Sequence, residues 1–412
     1  MALKSIDQLG AGGSLLPETE ASRLAKIARY RQWYEGRFAT PTKQASFGGK
    51  EDPLLIVRFN WFRRVARFYP EFMLSETPVT VVEERERLTD WIADRADHVW
   101  EQLTEANVDA IRYGYGVLVS HPQDPRLPWS VSPTDHFEVQ DNLGEVTGDA
   151  VLRKRGDLLD VYWYPVDGQA ERRIHKLDGI AIGELLKTEV LDPRAGRQAV
   201  FFTVTPAMES WYDDISDSII ALTKAVNRLG RAVARNMDPH MYGPANPTAA
   251  GGTVFAGLQG VPIYDEAGEP IRGPLSGKGS KYIGVPDGQQ APGFLQWDPK
   301  IQAYESIVEA YENDIYRSTG LSRMLFDPEM SSGNVTGVAL RRLMMPFVAR
   351  VMHLRTRNTR AFRSLLQMLV RNNRAAGGEL FEWTVRELSI DYRFDDIFQD
   401  AVAEEQQETP SD

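Results

Sequence analysis

The sequence has no cysteine in its 412 residues, which excludes disulfides and cysteine-based zinc sites and fits assembly in a reducing cytoplasm. Histidine is scarce as well. The six histidines, His98, His121, His136, His175, His240 and His353, include no pair at i,i+3 or i,i+4, so no metal site is expected. No stretch approaches the roughly 20 uninterrupted apolar residues that cross a bilayer. Met1–Glu20 lacks the charged start and apolar core of a signal peptide. The pattern therefore points away from the membrane.

Catalytic signatures are missing too. There is no G-x-S-x-G and no H-E-x-x-H. The glycine-bearing stretch SSGNVTG, Ser331–Gly337, puts three residues between Gly333 and Gly337 and follows them with Val-Ala. A phosphate-binding Walker loop needs four intervening residues and then Lys with Ser or Thr. The stretch reads instead as a flexible loop, with Thr336 capping the helix that follows. Carboxylates cluster in DEAGEP and DDISD without a histidine, lysine or metal partner near in sequence. No enzymatic activity and no cofactor are expected.

What is present describes a globular chain. With 42% hydrophobic and 10% aromatic residues it has enough apolar surface for two to four compact units. The formal net charge is −11, yet Ser331–Gly378 contains nine arginines and no acidic residue. Charge is thus segregated along the chain.

Local patterns order the elements. Residues 20–37, EASRLAKIARYRQWYEGR, have helical spacing, and NWFRRVARFYPEFMLS reads as a short helix stopped near Pro70. TPVTVVE reads as a strand. A long helix is expected over about 88–114, with Gly114 and Gly116 switching the pattern to strand. Residues 117–205 carry short β-branched and aromatic segments between turns, which predicts an antiparallel meander. Residues 213–237 form a helix with Asp213, Asp214 and Asp217 at its start and Arg228, Arg231 and Arg235 later, an order suited to the helix dipole. Residues 238–297, rich in Gly and Pro, read as a small irregular domain of short strands. A helix follows, with Asp298 as N-cap and Gly320 as terminator. The tail offers one or two strands and an acidic end.

Two helical faces carry the functional reading. From Gly337 to Arg374, Arg342, Arg350, Arg357, Arg360, Arg363, Arg371 and Arg374 fall on roughly one half of the wheel, and Pro346 is expected to kink the helix. That face is open to three uses: a solvated surface, a surface pairing with a neighbouring subunit, or a phosphate contact. Glu305, Glu309 and Glu312 share a stripe on the preceding helix. It reads as an ordinary exposed face or as an anionic lining that keeps DNA from sticking.

In collinear order, ARYRQWYEGR, NWFRRVARFYPEFMLSETPVTV, IRYGYGVLVSH, DISDSIIALTKAVNRLGRAVARNMDPHMYG and STGLSRMLFDPEMSSGNVTGVALRRLMMPF resemble portal proteins of siphophage-type tailed bacteriophages. The resemblance covers most of the chain. It implies an α+β portal fold: an arm over 1–19, a wing over 20–212, stem helices over 213–240 and 298–325, and a clip over 241–297. A tunnel loop over 326–336 and a kinked helix over 337–375 follow. Residues 376–412 hold C-terminal strands and an acidic tail, with a short or absent crown. It implies a ring, usually of twelve subunits, at one capsid vertex of the virion, assembled in the host cytoplasm. Double-stranded DNA would pass through the ring without sequence specificity. The partners implied are the large terminase, a head-completion (adaptor) protein, and the major capsid and scaffolding proteins. Asp327, Glu329, Ser331, Ser332, Gly333 and Asn334 would face the DNA, and Glu305, Glu309 and Glu312 would line the channel. The alternative is another oligomeric virion connector or a baseplate component.

Overall fold

In the computed structural model the described residues are 21–37, 60–74, 79–82, 85–141, 143–178, 181–236, 240–244, 282–285, 293–295, 301–321, 323, 337–379, 381 and 387–391. Among them are seven helices and thirteen strands, an α+β architecture. The chain divides into two units. One takes residues 1–37, 60–216 and 316–412, and the other takes 38–59 and 217–315.

In the first unit, α1 (Ala21–Tyr34) and α2 (Trp61–Met73) precede a short strand, β1 (Val79–Val82). Asn60 starts α2, its side chain accepting the Arg63 backbone N–H at 3.1 Å. The helix does not stop at Pro70 but runs on to Met73. An internal proline costs about 3 kcal/mol. Burying the face of Phe62, Val65, Tyr69 and Met73 returns about 1.5–3 kcal/mol for each large side chain, so packing outweighs the local preference.

The single helix expected over 88–114 is two: α3 (Glu86–Ala93) and α4 (Ala96–Tyr113). The cause lies in Arg95. Its guanidinium donates to the Trp91 carbonyl at 2.8 Å and stacks over the Trp91 ring at 4.4 Å. That carbonyl would accept the Arg95 backbone N–H in a continuous helix. The N–H turns instead to Ile92 O at 3.0 Å, and the helix breaks.

Gly114 ends α4 at φ 93°, as its position in the sequence predicts. The returning strand β2 (Tyr115–Ser120) then lies against α4 so closely that a Cβ on Gly116 would sit 1.8 Å from Ala106 O. β2 is the middle of a three-stranded antiparallel sheet between β3 (Pro128–Val131) and β9 (Ala199–Thr203). The single meander expected over 117–205 is found only in part: β4 (His136–Gln140), β5 (Val146–Arg155), β6 (Leu158–Pro165), β7 (Glu171–Asp178) and β8 (Ala181–Val190) pair antiparallel in sequence order, whereas the first two strands and the last belong to the separate β3-β2-β9 sheet. Alternation along β5 and β6 feeds two cores. Ala150, Leu152, Leu159 and Val161 pack with Phe137 and Val139. Val151, Tyr162 and Tyr164 pack with Val117, Val119 and Val131. This stretch of the sheet is therefore covered on both faces.

The chain enters the second unit within α5 (Trp211–Asn236) and leaves it within α6 (Ile301–Thr319). Between these helices β10 (His240–Pro244) pairs parallel with β11 (Tyr282–Val285) and antiparallel with β12 (Gly293–Leu295). Short strands are thus present where the Gly/Pro-rich stretch predicts them. Ser218 on α5 donates to the Asp314 carboxylate on α6. The expected caps Asp298 and Thr336 lie outside the described residues.

Back in the first unit, α7 (Gly337–Ala375) runs through Pro346 as one helix of 39 residues. Its buried face includes Phe347, Val351, Leu354, Phe362, Leu365 and Leu369. Phe362 stacks on Trp100 of α4 with centroids 4.9 Å apart, and Phe347 meets Phe72 of α2 at 4.9 Å. The tail strand β13 (Leu388–Asp391) pairs antiparallel with β1.

Gly116→Ala is expected to destabilise the protein by about 3 kcal/mol or more through forced overpacking against backbone. Urea denaturation followed by circular dichroism measures it, and a loss under 1 kcal/mol would contradict the close approach of β2 to α4.

Candidate functional site

Helix α7 carries nine arginines and no acidic residue, and its placement follows from how it is seated. Asn107 of α4 and Asn358 of α7 exchange side-chain hydrogen bonds at 2.7 and 2.8 Å. Each amide also donates to the carbonyl four residues back, Leu103 O at 2.8 Å and Leu354 O at 3.0 Å. Fourteen residues further along, Asn372 donates to Pro125 O at 3.0 Å and Gln198 Oε1 at 2.8 Å. Buried amides satisfied in this way fix helical phase, because any other phase strands them.

With phase fixed, the arginines divide. Arg350, Arg357 and Arg363 are half-buried and reach partners within their own unit. Arg350 donates to Ser318 O at 2.5 Å and lies 5.1 Å from the Trp211 ring centroid. Arg357 donates to His353 Nε2 at 3.0 Å and Thr203 Oγ1 at 3.3 Å. Arg363 donates to Leu388 O at 3.4 Å, on β13. Arg360 is exposed, together with Arg371 and Arg374. The side chain of Arg342 lies outside the described residues. The helical wheel groups all of these arginines on one half, and the structure distinguishes centre from edge. On the wheel Arg374 lies opposite Phe347, Leu354 and Leu365, and Arg371 about a third of a turn from them; both are exposed.

Arg350 has a second consequence. Gly320 closes α6 at φ 73°, and the last carbonyls of that helix are held by side chains. Tyr69 donates to Thr319 O at 2.5 Å while Arg350 takes Ser318 O. A cation at a helix C-terminus also opposes the negative end of its dipole. Burial holds the Tyr69 hydroxyl well above the usual tyrosine range, so it stays a donor.

On α6, Glu305 and Glu309 are exposed and Glu312 is half-buried. Ile315 on the same helix is fully buried, with Tyr304, Val308 and Tyr311 half-buried beside its phase. The glutamates therefore flank the packed face. The loop residues Asp327, Glu329, Ser331, Ser332, Gly333 and Asn334 lie outside the described residues. Among the described residues no His, Asp or Glu cluster is placed to hold a metal ion, and no helix is long and apolar enough to cross a membrane.

No family model matches the chain, and no curated protein matches it. Among solved structures it is similar to a chain of the native gene transfer agent virion at 13% identity and TM-score 0.42, covering 85% of this chain and 87% of that one. A chain from the neck of the empty gene transfer agent particle matches at 13% identity and TM-score 0.42, covering 84% and 83%.

The two classes of arginine predict different costs. Arg350→Leu is expected to lose about 1.5–3 kcal/mol, the range for a hydrogen bond to a charged group. Arg360→Leu should stay within about 0.5 kcal/mol, as for an exposed site. Equilibrium denaturation of the two variants side by side makes the comparison, and equal losses would contradict the division.

Proposed function

We propose that this chain is the portal subunit of a tailed bacteriophage. It forms a ring at one capsid vertex through which double-stranded DNA is packaged and ejected. Terminase and head-completion proteins dock on the ring, and capsid and scaffolding proteins surround it. One observation carries this reading: a helix leaves the first unit, a small three-stranded sheet follows, a second helix returns, and a long helix comes after. This order supports the reading because stem helix, clip, stem helix and long helix follow one another in the same sequence in the portal resemblance.

The chain itself performs no chemistry in this role, and ATP hydrolysis belongs to the terminase. Its contribution is electrostatic. Glu305, Glu309 and Glu312 would be repeated by each subunit around the bore, giving an anionic wall that DNA phosphates cannot grip. The loop over 326–336 would meet the passing duplex.

Two measurements test this. Symmetric averaging of particle images of the purified protein is expected to show a ring of about twelve subunits with a central channel; a population that is monomeric at every salt concentration would overturn the proposal. Replacing Glu305, Glu309 and Glu312 with lysine should slow DNA filling in a packaging assay. Unchanged filling would remove these residues from the bore.

A further inference from the structure

We propose that residues 393–404 dock as an amphipathic helix on the exposed methionine stripe of α7 in their own chain. The contact lies within one subunit and does not depend on the portal reading.

The stripe is Met345 (58% exposed), Ala349 and Met352 (42% exposed). Steps of 4 and 3 residues keep these side chains on one side of the helix. Thr356 and Arg360 continue the line, both exposed. Apolar residues scattered singly on a surface are ordinary, whereas neighbours in one patch mark a contact. Cations frame this patch. Arg355 reaches Met352 Sδ at 3.5 Å, Arg360 stands two turns beyond Met352, and no acidic residue occurs from Ser331 to Gly378.

The path of the chain after α7 says what covers the stripe. Asn373 donates to Glu379 O at 2.9 Å, and Arg363 donates to Leu388 O at 3.4 Å. Between these contacts the chain advances back along α7 toward its N-terminal end. Met352 precedes Arg363 by 11 residues and Met345 precedes it by 18. At 100° per residue these are about three and five turns, so both methionines share the side of α7 from which Arg363 holds Leu388. They stand about 17 and 27 Å further along the axis. Strand β13 ends at Asp391, and the seven residues from there to Phe398 span up to about 23 Å when extended. The stripe is therefore within reach.

The segment has the matching chemistry. Phe394, Ile397, Phe398, Ala401 and Val402 recur at i, i+3, i+4, i+7 and i+8, the spacing of one apolar helix face. Asp395 and Glu404 border that face on its two sides, and Asp396 and Asp400 lie opposite it. From 392 to 412 there are seven carboxylates and one cation, Arg393. Apolar residues would thus meet apolar residues, with carboxylates beside Arg355 and Arg360. A helix this short is marginal alone in water, so its folding is coupled to docking. The segment of a second copy has the same chemistry but lacks the tether through β13, which gives the chain's own segment an effective concentration on the order of millimolar.

Because the chain has no cysteine, one engineered pair reports alone. In the full chain, Met352→Cys with Phe398→Cys is expected to form a disulfide within one subunit under mild oxidation. Mass spectrometry of non-reduced digests reads the yield. The control, Leu143→Cys with Phe398→Cys, uses a side chain that is 88% exposed and should give at least tenfold less. Equal yields, or no disulfide in the first pair, would overturn the proposal. Disulfides joining two chains would overturn docking within one copy and give the stripe to a neighbour's segment. A second measurement frees the stripe without removing it. The full chain carrying Phe394→Asp and Phe398→Asp, with circular dichroism establishing that it is folded, should bind a synthetic peptide of residues 392–412. The unaltered chain should bind that peptide at least tenfold more weakly. Equal binding by the two chains, or binding by neither, would contradict an occupied stripe. All of these readouts come from single subunits, so their failure would leave a ring, and the portal reading, standing.

Discussion

The reciprocal amide pair of Asn107 and Asn358 governs how the first unit is arranged. It is short, buried and complete: each side chain gives one hydrogen bond and takes one across the seam, and each spends its second donor on its own helix. A slip of one residue turns α7 by about 100°. Such a slip would strand both amides in an apolar seam, bring charged flank residues toward the core, and pull Phe347 from the α2 aromatics. Hydrophobic packing alone tolerates neighbouring phases far better. The polar pair supplies specificity that the leucines cannot.

Other contacts inherit that choice. With α7 in phase, Arg350 arrives at the C-terminus of α6 and Arg363 at the backbone of β13. Asn372 ties the helix to the segment between β8 and β9, where the Ala195 N–H also donates to it at 3.2 Å. At the other side of the unit a separate clamp holds α1: Lys26 reaches Asp213 at 2.8 Å, and Tyr30 donates to the same carboxylate. Burial and that bond push the Tyr30 hydroxyl up to about 12, so it remains a donor at neutral pH.

Patterns that depend on neighbours along the chain were readable in the sequence. The glycines after α4, the meander of β4 to β8, the strands in the Gly/Pro-rich stretch and the phase of α7 all come from local spacing. The failures share one cause, competition from groups that spacing does not weigh. Arg95 takes the carbonyl that would continue α3 into α4, and the buried face of α2 carries that helix past Pro70. Arg350, Arg357 and Arg363 look free on a wheel, but their partners stand 32, 154 and 25 residues away. The portion of the candidate site set by helical phase was therefore legible, and the portion set by reach was not.

The pairing of β1 with β13 has a consequence in time. Val79–Val82 has its described strand partner only in Leu388–Asp391. At roughly 5–20 residues per second a ribosome takes about 15–60 s to travel from one to the other. During that interval β1 is an open edge, and α7, whose seam orders the unit, is still being made. A chain built this way completes its surfaces late. Until Leu388–Asp391 is made, the nascent chain carries β1 without the strand that closes its edge.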